Sequence, residues 1–222
     1  MIVFSSYDAV LFDLDGTLLD TAPEFNAVIA GMREELGLAP LPPSAIRAVV
    51  SQGGAAMLRV AFPDWDESDR SLLDRFLALY RERIGHATTL FPGVGDVLVR
   101  LAAAGKAWGI VTNKPGWLTE PLLETITFPV VPRVLVCGDT LARRKPHPDP
   151  LLHACEALAV DPTRTLMVGD DSRDVESAFA AGAVPIVVDW GYSDPGSEAW
   201  GALHRAANAG ALVDLLDLRS TP

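Results

Sequence analysis

The sequence predicts an α/β fold, a parallel sheet covered by helices on both faces with a small helical cap inserted after the first strand. Three observations point there. Short apolar runs recur with helical patterns between them, the alternation that builds a parallel sheet. Three of those runs end in polar residues, where open α/β sheets place their ligands. The first two runs are also separated by far more chain than the dozen or so residues a crossover needs, so something stands between them.

The first strand is expected at Ala9–Phe12 and runs directly into Asp13-Leu14-Asp15-Gly16-Thr17. Carboxylates at i and i+2 on extended chain point to one face, and two like charges that close raise one another's pKa unless a cation lies between them. Asp13 and Asp15 therefore suggest phosphorus chemistry, with one carboxylate as nucleophile, the other moving a proton, and a metal nearby. Asp-Gly is also a common turn signal; it is the company of the other strand ends that favours chemistry. Gly16 suits a chain that must bend past a ligand where a Cβ would intrude.

From Asp20 to about Leu90 the pattern is helical. Phe25, Val28, Ile29, Met32 and Leu36 follow one face of a helix, as do Leu73, Phe76, Leu77, Tyr80 and Ile84. Thr21-x-x-Glu24 offers a capping box, Pro40, Pro42 and Pro43 interrupt, and Ser44 can start another helix. The expected division is a core of residues 1–20 and 88–222 and a cap of residues 21–87, hinged near Asp20–Thr21 and Leu90–Gly93. Ser51-Gln52-Gly53-Gly54 reads either as a plain interhelical turn or as the cap loop facing the site; on the second reading Ser51, Gln52 and Gly53 select substrate, with Arg47 as a carboxylate contact.

The second strand, Ala107–Val111, leads through Thr112-Asn113-Lys114-Pro115 into a helix. A hydroxyl and free N–H groups there can hold phosphate or simply cap the helix. After a third strand at Val134–Val136 comes Arg143-Arg144-Lys145-Pro146-His147-Pro148. Lys145 can neutralise a nucleophilic carboxylate and an incoming phosphate, while Arg143 and Arg144 read as solvated. The fourth strand, Thr165–Val168, ends in Gly169-Asp170-Asp171-x-x-Asp174. Mg²⁺ takes oxygen ligands and needs only one or two carboxylates, a task that suits Asp170. Asp174, one turn on, can hold Lys145, although an acidic helix N-terminus explains Asp171 or Asp174 as well. Val184–Val188 is the fifth strand.

Composition bounds the rest. Hydrophobic residues form 49% and charged residues 21% of the 222, the balance of a folded protein. A net charge of −11 with scattered basic residues argues against nucleic acid as a partner. Cys137 and Cys155 lack a C-x-x-C spacing and are expected as buried free thiols of a reducing compartment. No leader-like segment and no apolar stretch of about 20 residues occurs, so neither a membrane partner nor a secreted location is expected; the location expected is cytoplasmic. His86, His147, His153 and His204 show no zinc spacing, and neither G-x-S-x-G, a P-loop nor G-x-G-x-x-G is present.

Asp13-x-Asp15-Gly16-Thr17, Thr112-Asn113, Lys145-Pro146 and Gly169-Asp170-Asp171-x-x-Asp174, in that order after successive strands, resemble the haloacid dehalogenase superfamily. The resemblance covers essentially the whole chain. It implies a Rossmann-like core with strand order 5-4-1-2-3 and an α-helical cap. It also implies Asp13 as nucleophile, Asp15 as acid and base, and Thr112, Asn113 and Lys145 on the phosphoryl group. Mg²⁺ would lie on Asp13, Asp170 and the Asp15 main-chain carbonyl, with Asp171 or Asp174 behind these ligands.

Leu11–Pro23 and Lys145–Leu152 look more narrowly like the phosphoglycolate phosphatase group, and Trp108–Pro115, Gly169–Asp174 and Gly191-Tyr192 also resemble the N-acetylmuramic acid 6-phosphate phosphatases. What this implies is a Mg²⁺-dependent phosphomonoesterase, monomer or homodimer, acting on a small phosphorylated metabolite, with phosphoglycolate ahead of the acidic amino sugar. A sugar-phosphate mutase and a non-catalytic binding module are the other readings. Near the end the chain departs from both groups: Ala206-Ala207-Asn208-Ala209-Gly210 stands where a short strand lead-in is expected.

Overall fold

The computed structural model describes residues 7–192, 200–202 and 204–218, so residues 1–6, 193–199, 203 and 219–222 of the expected core range lie outside it. The strand Ala9–Phe12 (β1) is buried throughout, and a tight turn carries the chain to a two-residue strand, Leu19–Asp20 (β2). Helices Ala22–Glu35 (α1), Pro43–Arg47 (α2), Gly54–Ala61 (α3) and Ser71–Arg83 (α4) follow. The chain then returns through Thr89–Leu90 (β3), which pairs antiparallel with β2. The helical insertion leaves and re-enters the sheet domain through this one short ribbon.

Strands and helices then alternate: Val94–Ala103 (α5), Ala107–Val111 (β4), Gly116–Thr125 (α6), Leu135–Val136 (β5), Asp149–Leu158 (α7), Thr165–Gly169 (β6), Ser172–Ala181 (α8) and Val184–Val188 (β7). His204–Ala206 (β8) and Ala209–Leu215 (α9) close the described chain. The parallel sheet runs β5-β4-β1-β6-β7-β8. The five expected strands keep the order 5-4-1-2-3, and the correction is a sixth strand outside them. β8 pairs with β7, Val188 opposite Ala206, so a strand does lead into α9 where none was expected. Its His204 and Arg205 are polar edge residues with no apolar run to announce them. Asn208 then caps α9 by accepting the Ala211 N–H.

The central strands β4 and β6 are buried at every position, as a sheet covered on both faces requires. In the insertion, Phe25 of α1 stacks on Tyr80 of α4 at a centroid distance of 4.2 Å, and Val28, Ile29, Met32 and Phe76 complete that core. Leu36 does not join it: α1 ends at Glu35 and Leu36 is 55% exposed.

The Thr21–Glu24 capping box does not form either. The Thr21 N–H donates to Tyr192 Oη at 2.8 Å, and Glu24 Oε1 instead accepts the N–H groups of Ala87 and Thr88 at 2.9 and 3.2 Å. Glu24 is 1% exposed, and the returning backbone beside β3 supplies donors that must be paired once buried. Cys137 and Cys155 are free and buried. Among the described residues no helix is long and apolar enough to cross a membrane.

Candidate active site

Because β1 lies between β4 and β6, the residues that follow these strands meet at one edge of the sheet: Asp13 after β1, Thr112 after β4 and Asp170 after β6. Lys145, from the loop before α7, reaches this point from the side. Its Nζ donates to Asp13 Oδ1 at 2.9 Å, to Asp174 Oδ1 at 2.6 Å and to the Val111 carbonyl at 2.6 Å. All three protons of the ammonium are placed, and the side chain is 2% exposed. Burial alone would lower its pKa, but the charges of Asp13 and Asp174 carry it above the ordinary lysine value. The cation is thus fixed against the expected nucleophile by the residue expected to hold it.

Asp170 is buried under donors. Its Oδ2 accepts the Tyr192 N–H at 2.8 Å and the Ser51 hydroxyl at 3.1 Å, and its Oδ1 accepts the Thr17 hydroxyl at 3.1 Å. Burial, and then the neighbouring Asp13 and Asp174, push its carboxyl well above the usual range. One oxygen each of Asp13, Asp170 and Asp174 lie within 4.8 Å of one another. Three buried carboxylates with one ammonium among them are short of positive charge, and an all-oxygen donor set suits a hard divalent cation. The backbone is also close-fitted around Asp170. A Cβ on Gly16 would stand 2.3 Å from its Oδ2, and one on Gly191 would stand 2.3 Å from the Gly16 carbonyl. The residues present fit a metal.

Asp15 turns away from this triad. Its carboxylate accepts from Lys114 Nζ at 3.1 and 3.4 Å, and the same ammonium donates to Tyr80 Oη at 2.8 Å while lying over the rings of Tyr80 and Phe25 at 4.7 and 5.0 Å. Burial would lower Lys114, yet Asp15 and Tyr80 hold it above the ordinary value. Sequence reasoning passed over Lys114 as a helix lead-in. The signal was in the composition: only three of the 18 basic residues are lysines, and two of the three stand here.

Lys114 joins the sheet domain to the insertion. Its replacement by Met is expected to lower stability by about 3 kcal/mol, since Asp15 and the Tyr80 hydroxyl lose their shared partner. Tyr80→Phe, which removes one neutral partner, should cost about 1 kcal/mol. Urea unfolding midpoints at constant slope measure both, and equal midpoints for Lys114→Met and the parent chain would show the contact to be idle.

The remaining expected residues are placed as follows. Thr112 and Asn113 line the cavity beside Asp13. The Thr112 hydroxyl accepts the Lys114 N–H at 3.1 Å, and Asn113 Nδ2 donates to the Lys145 carbonyl at 2.8 Å, while Asn113 Oδ1 is buried without a protein partner. Asp171 caps α8 and pairs with Arg173 at 2.6 Å; burial would raise its pKa, but Arg173 holds it below the usual carboxylate range.

Ser51, Gln52 and Gly53 line the cavity from the turn between α2 and α3. Arg47 is the correction: it does not line the cavity, because its guanidinium pairs with Asp20 at 2.9 Å and lies 4.8 Å from the Tyr192 ring centroid. Arg144 corrects in the other direction: although exposed, it lines the cavity, as does Arg70 of the insertion.

Those of these groups that line it border a partly open cavity of about 470 Å³. One end holds the Asp13–Lys145 pair with Asp174 beside it. The rest is walled by side chains of the insertion, among them Met57, Leu73, Phe76 and Leu77.

The sequence profile of the haloacid dehalogenase-like hydrolases matches residues 10–188. An N-acetylmuramic acid 6-phosphate phosphatase of Pseudomonas aeruginosa is 41% identical over 217 residues, covering 94% of each chain. A phosphoglycolate phosphatase of Xanthomonas campestris pv. campestris is 47% identical over 185 residues, covering 83% of this chain and 84% of its own. The crystal structure of a predicted phosphoglycolate phosphatase from Haemophilus somnus 129pt superposes with a TM-score of 0.81 at 23% identity, over 93% of this chain and 96% of that one; at that identity the likeness bears on the fold alone.

Proposed function

This chain belongs to the haloacid dehalogenase-like hydrolase family, and from that premise we propose that it is a Mg²⁺-dependent phosphomonoesterase acting on a small phosphorylated metabolite. Residues 21–87 act as its cap over a core of residues 1–20 and 88–222. The observation that carries the reading is Asp13 held 2.9 Å from a buried, fully engaged Lys145, with Asp170 beside it.

In the first step an Asp13 carboxylate oxygen attacks phosphorus, and Asp15 gives a proton to the departing alcohol. In the second, Asp15 takes a proton from the water that hydrolyses the aspartyl-phosphate. Thr112, Asn113 and, on giving up one of its three present acceptors, Lys145 hold the transferring group, whose charge is the main thing the protein has to stabilise. Asp174 orients Lys145. Mg²⁺ supplies further positive charge against the phosphoryl oxygens when bound, and the residues that would hold it are Asp13 and Asp170 with the Asp15 main-chain carbonyl.

The first substrate reading is 2-phosphoglycolate, supported by the 47% identity to the Xanthomonas enzyme. N-acetylmuramic acid 6-phosphate is the second, supported by the relative matched over 94% of each chain and by a cavity of about 470 Å³, far more than a two-carbon ester fills. Side-by-side kcat/KM values decide between them. A preference of about 100-fold, or about 2.7 kcal/mol of differential transition-state binding, identifies the branch. Phosphate release is expected to stop on chelation and resume with added Mg²⁺. Release that persists unchanged in chelator, or no release from either ester, would overturn the proposal.

A further inference from the structure

The arginines around the cavity divide into two kinds. Arg47, Arg143 and Arg173 are each committed to a carboxylate, Asp20, Asp149 and Asp171 respectively. Arg70 and Arg144 line the cavity, and among the described residues neither guanidinium has an ion pair or a hydrogen bond. They come from different parts of the chain. Arg70 immediately precedes α4, whose Leu73, Phe76 and Leu77 wall the same cavity, and Arg144 immediately precedes Lys145.

In a chain of net charge −11, two guanidiniums that line one cavity and pair with no carboxylate among the described residues place local positive charge where the chain is otherwise acidic, the field an anionic ligand needs. Neither is needed by the phosphoryl group, whose cation is Lys145 at the closed end. Guanidinium is the side chain best matched to a carboxylate, which it can grip with two parallel hydrogen bonds.

We propose that Arg70 and Arg144 form a second anion subsite, which takes the carboxylate of a phosphate ester whose alcohol portion is itself acidic. This inference rests on the phosphomonoesterase reading of the same site. The phosphate end lies on Asp13 and Lys145, the carbon skeleton runs along the wall of Met57, Leu73 and Leu77, and the carboxylate meets the arginines. The subsite replaces the contact that sequence reasoning assigned to Arg47. One arginine is carried by the helical insertion and the other by the sheet domain, so a substrate lacking the carboxylate loses a tie between the two.

The test uses ester pairs that differ in the carboxylate: N-acetylmuramic acid 6-phosphate against N-acetylglucosamine 6-phosphate, and 2-phosphoglycolate against 2-hydroxyethyl phosphate. The parent chain is expected to favour the acidic member of the pair that it hydrolyses. In Arg70→Gln/Arg144→Gln the ratio of the two kcat/KM values should fall by about 10- to 100-fold, the range expected for lost hydrogen bonds to a charged group. Both residues are exposed, and circular dichroism checks that the fold is kept.

A ratio that does not move, or an equal fall for both members, overturns the subsite. The same pairs titrated calorimetrically into Asp13→Asn, with and without the two arginine changes, read the carboxylate's contribution without turnover. Failure to release phosphate from any ester would count against the phosphatase reading. Loss of the carboxylate preference in that titration would still establish the subsite, and a preference indifferent to the arginines would refute it.

Discussion

Asp13→Asn is expected to reduce phosphate release by about 10⁴-fold or more, the scale on which loss of a nucleophile registers, with no loss of fold. The amide has the shape of the carboxylate but lacks the electron-rich oxygen that the proposed attack on phosphorus needs. What separates a chemical effect from a structural one is stability. Asp13 shares its buried corner with Asp170 and Asp174, whose oxygens lie within 4.8 Å of its own. Neutralising it removes like-charge repulsion and leaves Lys145 its contacts to Asp174 and Val111. Without Mg²⁺ the variant should therefore be at least as stable as the parent chain. With Mg²⁺ it should gain less, because one of the proposed ligands has lost its charge. Thermal unfolding with and without the ion measures both, and ordinary turnover by the variant would remove Asp13 from the nucleophile's role.

The strand ends were legible because each places a polar residue immediately after a buried apolar run, a break in pattern that needs no knowledge of tertiary contacts. That is how Asp13, Thr112 and Asp170 could be read, and why the Lys145–Asp174 pairing followed once Asp174 was placed one helical turn beyond β6. Other partnerships were hidden by local chemistry that offered a satisfactory but wrong partner. Thr21 and Glu24 have the spacing of a capping box, yet Glu24 serves the Ala87 and Thr88 N–H groups across the β2–β3 ribbon, a pairing 63 residues distant in the chain.

Arg47 was the nearest cation to the expected cap loop, but the Asp20 carboxylate and the Tyr192 ring lie closer in space than the cavity does. Tyr192 itself shows what spacing cannot convey. Its hydroxyl accepts the Thr21 and Ala22 N–H groups at 2.8 and 2.9 Å and donates to Asp20 at 2.8 Å, while its own N–H holds Asp170 at 2.8 Å. The entry to the helical insertion and a carboxylate of the candidate metal site are thus tied to one residue that follows β7. Composition carried more than was taken from it: where arginine supplies most of the surface cations, a lysine is a residue to explain.

Lys145→Met should give the largest loss of stability of any change in the site. The parent ammonium is 2% exposed and shared by two carboxylates, and removing one partner from such a buried arrangement costs about 3–5 kcal/mol because the other charges are left uncompensated. The loss should depend on pH in a direction fixed by the carboxylates left behind. Burial and mutual repulsion already raise Asp170 and, despite the opposing pull of Lys145, lift Asp174 to about 7; without the ammonium both move further up.

A carboxyl raised in the folded state binds more protons there than when unfolded, so its contribution is present below the unfolded value of about 4 and declines as pH rises through the folded one. The variant should therefore be closer to the parent in stability at pH 5 than at pH 8. Mg²⁺ should recover part of the difference at pH 8 by returning positive charge to Asp13 and Asp170. It should not recover activity, because in the proposed mechanism Lys145 also holds the group being transferred. Urea midpoints at the two pH values, each with and without Mg²⁺, decide the matter: a penalty that is small, or that shrinks as pH rises, would mean that Lys145 does not carry the charge balance of this site.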